Sequence, residues 1–211
     1  MTSESMQSAV GRLKMPERTP EEWAQIERDC AEWEASRKRG KQQGRVIASG
    51  IPKRFRDARL KDGEAFDWVL NPSDGLILTG SIGVGKTYAA CAALKTFMYL
   101  NDCSGRFITA AEYVQECRNF DGSEDKYQGC GILVLDDLGK EAPTQFAIEC
   151  IFELIDSRHS SRKPTIITTN YGSTDLMERM TAGDDTTVAT AIMSRLAGFT
   201  VVQMQGVDRR L

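Results

Sequence analysis

Residues 80 to 88 read Gly80, Ser81, Ile82, Gly83, Val84, Gly85, Lys86, Thr87 and Tyr88, and Gly80, Gly85, Lys86 and Thr87 fit the pattern GxxxxGK[ST]. Each residue type has a physical task. Glycines let backbone amides close around phosphate oxygens, the helix that follows presents its positive N-terminus, Lys86 reaches the outer phosphates, and the Thr87 hydroxyl suits a magnesium ion. The stretch ILVLDD at 132–137 supplies acids for such a loop. A carboxylate at the end of a buried strand holds hydrated magnesium, which makes Asp136 the metal candidate and leaves Asp137 to polarise an attacking water. TIITTN at 165–170 is another apolar strand ending in a polar amide, and Asn170 is suited to hydrogen-bond a water or a terminal phosphate. By itself an Asn at a strand end is a common turn former. The expected ligands are ATP or ADP with Mg2+.

Elements of a definite kind must hold these residues. From about residue 62 short apolar runs alternate with helical patterns: GEAFDWVL (helix), GLILTG (strand), a helix from Lys86 to about Leu100, RFITA (strand), AAEYVQECRNF (helix), GILVLDD (strand), TQFAIECIFELIDSRH (helix), TIITTN (strand), helices near STDLMERM and TVATAIMSRLAG, and FTVVQMQ (strand). Five such strands separated by helices predict a parallel α/β sheet covered by helices on both faces.

The series TGSIGVGKT, ILVLDDLG, FELIDSR, PTIITTNY, AIMSRL and QGVDRR resembles the DnaC/DnaI and IstB branch of AAA+ ATPases over about residues 47 to 211, and SGIPKRF resembles the segment leading into that core. The resemblance implies a P-loop AAA+ sheet of five parallel strands and a helicase-loader function in bacterial or phage replication. It makes Asn170 the sensor residue, Arg195 a finger reaching into a neighbouring copy's site, and Arg210 a C-terminal arginine close to the phosphates. Arg158 matches a recurrent arginine to which no chemical role attaches. Asp137 departs from the glutamate of many AAA+ enzymes and is one methylene shorter, so slow or partner-stimulated hydrolysis is expected. The chain ends soon after QGVDRR, which leaves no room for a substantial helical lid. Implied partners are a DnaB-type replicative helicase, single-stranded DNA and further copies of the chain. The motifs equally suit an IstB-like transposition ATPase or a nucleotide-gated adaptor with little turnover.

The first 18 residues are polar and aperiodic and are expected to be disordered. Thr19, Pro20 and Glu22 then form a helix-start signal, and Trp23, Ile26, Cys30 and Trp33 make a narrow apolar stripe on a charged rod. The stripe folds back on its own domain, pairs with a twin, or docks a partner, which the resemblance makes the helicase. The run from Arg37 to Lys61 is strongly basic, and its glycines, Gly40, Gly44 and Gly50, read as a linker. Residues 19–46 are thus read as an amphipathic helix and basic linker ahead of the core at 47–211. The run is either a solvated face or a contact for nucleic-acid or nucleotide phosphates. The net charge of −3 argues against coating duplex DNA through bulk charge. Six scattered cysteines with one histidine give no zinc or disulfide framework, and no run approaches a membrane span, so the chain reads as cytoplasmic.

Overall fold

The computed structural model describes residues 19–119, 125–181, 183 and 185–206, without the side chains of 22, 23 and 26. The expected disorder at 1–18 and the position of Arg210 lie outside these residues. The chain divides into two compact units, Met1–Lys41 and Gln42–Leu211.

In order along the chain come α1 (Pro20–Ala48), a 3-10 turn (Lys53–Phe55), α2 (Glu64–Leu70), β1 (Gly75–Thr79), α3 (Lys86–Leu100), β2 (Gly105–Thr109) and α4 (Ala110–Cys117). Then follow α5 (Asp125–Gly129), β3 (Ile132–Leu138), α6 (Gln145–Ser160), β4 (Thr165–Thr169), α7 (Ser173–Arg179), α8 (Thr187–Leu196) and β5 (Thr200–Gln203). The expected strands and core helices are all present. The 3-10 turn and the five-residue α5 are additions, both too short to leave a periodic pattern.

Within the first unit the described chain is helical, and Cys30 and Trp33 are exposed. Arg37 caps the Trp33 ring face, its guanidinium carbon 5.1 Å from the centroid. The segment read as a linker is helical through Gly40 and Gly44 as far as Ala48. Each glycine costs a helix about 1 kcal/mol. In the larger unit the final turns offset this: Val46 packs against the core, and Arg45 pairs with Asp102.

All strand pairings are parallel, in the order β2-β3-β4-β1-β5. Alternation along each strand feeds two cores. Leu76, Leu78, Ile132, Val134 and Ile166 pack with α2 and α3, whereas Ile77, Leu133, Leu135 and Ile167 pack with α4, α6 and α8. Burial of each such side chain stabilises the fold by roughly 1.5–3 kcal/mol before ordering costs. The outer edge of β2 is covered by the lead-in chain, because Phe107 N–H donates to the Ser49 carbonyl at 2.7 Å. Gly50 permits that approach: its φ is +83, and a Cβ there would meet the Phe107 oxygen at 2.9 Å. Among the described residues no helix is long and apolar enough to cross a membrane.

Candidate nucleotide site

Parallel pairing brings the C-terminal ends of β1, β3 and β4 to one edge of the sheet, and β4 lies between the other two. The glycine loop follows β1. Gly80 at φ +146 passes so close to β5 that a Cβ would stand 2.3 Å from the Met204 oxygen, and Gly85 at φ +98 turns the chain into α3. Val84 is buried and anchors the loop, while Ile82 at its tip is exposed. The Lys86 ammonium donates to the Gly80 and Ser81 carbonyls, each at 2.8 Å.

Behind the loop, the Thr87 hydroxyl lies 3.0 and 3.1 Å from the two carboxylate oxygens of Asp136, which is buried. The expected metal pair therefore meets across 49 residues of chain. Burial pushes the Asp136 carboxyl above its ordinary value of 3.8 and the Asp137 charge adds to the rise, while the Thr168 and Thr87 hydroxyls and the Lys140 charge oppose it.

The two acids differ because β3 bulges there. Leu135 pairs with Ile167 and Leu138 with Thr169, so Asp136 and Asp137 together oppose Thr168. Asp137 takes a left-handed conformation, φ +60, uncommon for a residue with a side chain. Thr168 holds this bend, its hydroxyl donating to Asp136 Oδ1 at 2.6 Å while its oxygen accepts the Asp137 N–H at 2.9 Å. Asp136 is thereby held inward, and Asp137 lines a cleft of about 310 Å3 with Phe55, Ile82, Gly83, Gly85, Lys86, Thr87, Tyr88, Lys140 and Asn170.

Three of these participants receive no role from the sequence alone. Thr168 is one of several strand threonines, Lys140 follows the acids in LGK, and Phe55 belongs to SGIPKRF. Phe55 meets Tyr88 edge-on, ring centroids 6.4 Å apart, and Arg59 N–H donates to the Tyr88 hydroxyl at 3.1 Å.

The predicted arginines have separate fates. Arg195, on α8, is absent from the cleft lining. Its Nε donates to Asp156 Oδ1 at 2.7 Å, and its guanidinium lies 5.1 Å from the Phe152 ring centroid. Arg158 is a buried structural cation: Nε donates to Thr165 Oγ1 at 2.9 Å, and the two terminal nitrogens reach the carbonyls of Tyr127, Cys130 and Pro164 at 2.7, 3.0 and 2.7 Å. The recurrent arginine without a chemical role thus ties α6 to the starts of β3 and β4.

A glycine loop between a buried parallel strand and a helix, opposed by a strand ending in two acids with an amide strand between them, defines a P-loop nucleotide-binding protein of the AAA+ kind. The family of IstB-like ATP-binding proteins matches residues 48–211, and the chain belongs to that family. A Mycobacterium tuberculosis protein named as a putative ATP-binding protein in an insertion sequence is 30% identical in an alignment 126 residues long that covers 54% of this chain and 47% of that relative. The chain thus matches about half the length of this curated relative. The crystal structure of the DnaC helicase loader superimposes with a TM-score of 0.62 at 25% identity, covering 73% of this chain and 100% of the loader. That of DnaI gives 0.60 at 24% identity over 74% of this chain and 89% of its own.

Proposed function

We propose that this protein is an ATP-dependent loader of a replicative helicase, an ATPase that hydrolyses ATP slowly and uses the bound nucleotide to control assembly. The observation that carries this reading is a divided site: Lys86, Thr87, Asp137 and Asn170 share one cleft, whereas Arg195 stands outside it on α8. Likeness to the DnaC loader over that chain's whole length supports the loader role.

The residues fit a magnesium nucleotide. A hydroxyl and a carboxylate already in contact, Thr87 and Asp136, are hard oxygen donors of the kind magnesium takes alongside phosphates and water, and a cation would offset the burial of Asp136. When bound, magnesium neutralises phosphate charge and orients the transferred group. Lys86 and the loop amides bind the phosphates, and Phe55 and Tyr88 offer aromatic faces to a base. Asp137 accepts the proton of the attacking water at its carboxylate, Asn170 orients that water, and Arg210 approaches the phosphates. Arg195 of a second copy counters charge developing on the transferred group, a contribution of about 10³–10⁵ in rate in related chemistry. The apolar stripe read in the sequence at Trp23, Ile26 and Trp33 docks the helicase, single-stranded DNA is the nucleic-acid ligand, and the bacterial or phage cytoplasm is the setting.

The test is assembly. With ATP, the intact chain should self-associate and retain a DnaB-type helicase, and Lys86→Ala should lose nucleotide binding and both associations. Unchanged association with and without ATP would sink the loader model. The mycobacterial relative favours a second reading, a transposition ATPase, which predicts tight duplex DNA binding without helicase capture.

A further inference from the structure

Lys140 lines the nucleotide cleft, and its ammonium lies 2.7 Å from Asp137 Oδ2. That carboxylate is the group expected to accept the proton of the attacking water. In that ion pair the ammonium occupies the carboxylate oxygen, so Oδ2 is engaged by Lys140 rather than open to a water in the cleft. The loop is built to keep the two together. Lys140 N–H donates to the Asp137 carbonyl at 3.2 Å, closing a tight turn whose corner, Gly139, has φ +91. A Cβ on Gly139 would strike the Tyr171 ring at 2.8 Å. The buried Glu141 braces the same corner, its carboxylate oxygens accepting Gly139 N–H at 3.2 and 3.0 Å.

We propose that Lys140 gates the base: it holds Asp137 in an ion pair in the absence of a triphosphate and moves to the terminal phosphate when a triphosphate occupies the cleft. Relative magnitudes favour the exchange. The Lys140 and Asp137 side chains are 42% and 34% exposed, and ion pairs of that kind change an equilibrium by only about twofold to fivefold. A terminal phosphate carries roughly two negative charges near neutral pH against one on a carboxylate, and it enters the same cleft. Lys140 is therefore a residue that distinguishes triphosphate from diphosphate and couples that distinction to release of Asp137. The inference rests on the reading of this cleft as the ATP site.

The experiment uses the full chain and measures binding by calorimetry, with a non-hydrolysable ATP analogue and with ADP. Lys140→Met should weaken the triphosphate about fivefold and leave ADP within about twofold, and Lys140→Arg should restore the wild-type ratio. Loss for both nucleotides alike, no change for either, or failure of arginine to rescue overturns the gate. Lys86→Ala, measured in parallel, separates the two levels of inference. If it retains nucleotide affinity, the site reading itself fails; if it loses affinity while Lys140→Met leaves the ratio unchanged, only the gate fails. A thermal midpoint for Lys140→Met within about 2 °C of wild type confirms that the fold is intact.

Discussion

One hydroxyl on β4 sets the relation between the two acids. Thr168 donates to Asp136 and accepts from the Asp137 amide, so its replacement by valine, nearly equal in volume, removes both bonds without opening a cavity. The Asp136 carboxylate would stay buried with the Thr87 hydroxyl, and the Asp137 N–H in the bulge would lose its acceptor. We expect Thr168→Val to cost about 2–3 kcal/mol in chemical denaturation. It should also lower phosphate release at least about tenfold, because a β3 relaxed from its bend no longer aims Asp137 into the cleft. Thr168→Ser keeps both bonds and should stay near wild type in both measurements. Thr168 is hidden in TIITTN because Thr165 and Thr169 share that stretch, and only the one-residue slip between β3 and β4 sets it opposite both acids.

At the scale of the element, α6 is held to the sheet by a cation that, among the described residues, is met by carbonyls and a hydroxyl rather than by an acid. Arg158 is 1% exposed, and its charge is met by the carbonyls of Tyr127, Cys130 and Pro164 and by the Thr165 hydroxyl. Arg158→Met leaves those carbonyls unpaired in an apolar setting, a loss of about 3–5 kcal/mol in urea unfolding. Arg158→Lys should recover little of it, since an ammonium cannot reproduce the planar fork that spans three segments. The tie lies where β3 and β4 begin, at the sheet edge opposite the nucleotide site, so a variant that still folds should bind ATP within about threefold of wild type. A short α5 and the last turn of α1 likewise arise from packing rather than propensity. Tyr127 on α5 buries its ring edge-on to Tyr113, and Val46 and Arg45 hold the end of α1 on the core.

At the scale of the whole molecule, the proposed function divides the site between copies. Arg195 rests on Asp156 and Phe152, on the α6 and α8 side of its own chain, and is absent from that chain's cleft lining. Arg195→Ala should therefore leave the ATP affinity of the isolated chain within about twofold, while reducing phosphate release by at least about 10² under conditions in which the wild type assembles. Light scattering with and without ATP should show the variant failing to assemble. A tenfold loss of ATP affinity under monomeric conditions would place Arg195 in its own chain's site and refute the division.

What the sequence by itself determined is local: the glycine loop, the strands ending in Asp136, Asp137 and Asn170, and the helices between them. Such signals depend on the conformation and burial of consecutive residues, so they survive in a linear reading. Tertiary structure alone decided the strand order, which sets β4 between β1 and β3, and with it the contacts of Thr87 with Asp136, of Thr168 with both acids and of Phe55 with Tyr88. The bend at Asp137 and its pairing with Lys140 belong to the same class even though the residues are neighbours, because a β-bulge is a mismatch between strands. No spacing along one strand records where its partner slips, and sheet register is settled only when both faces bury their side chains together.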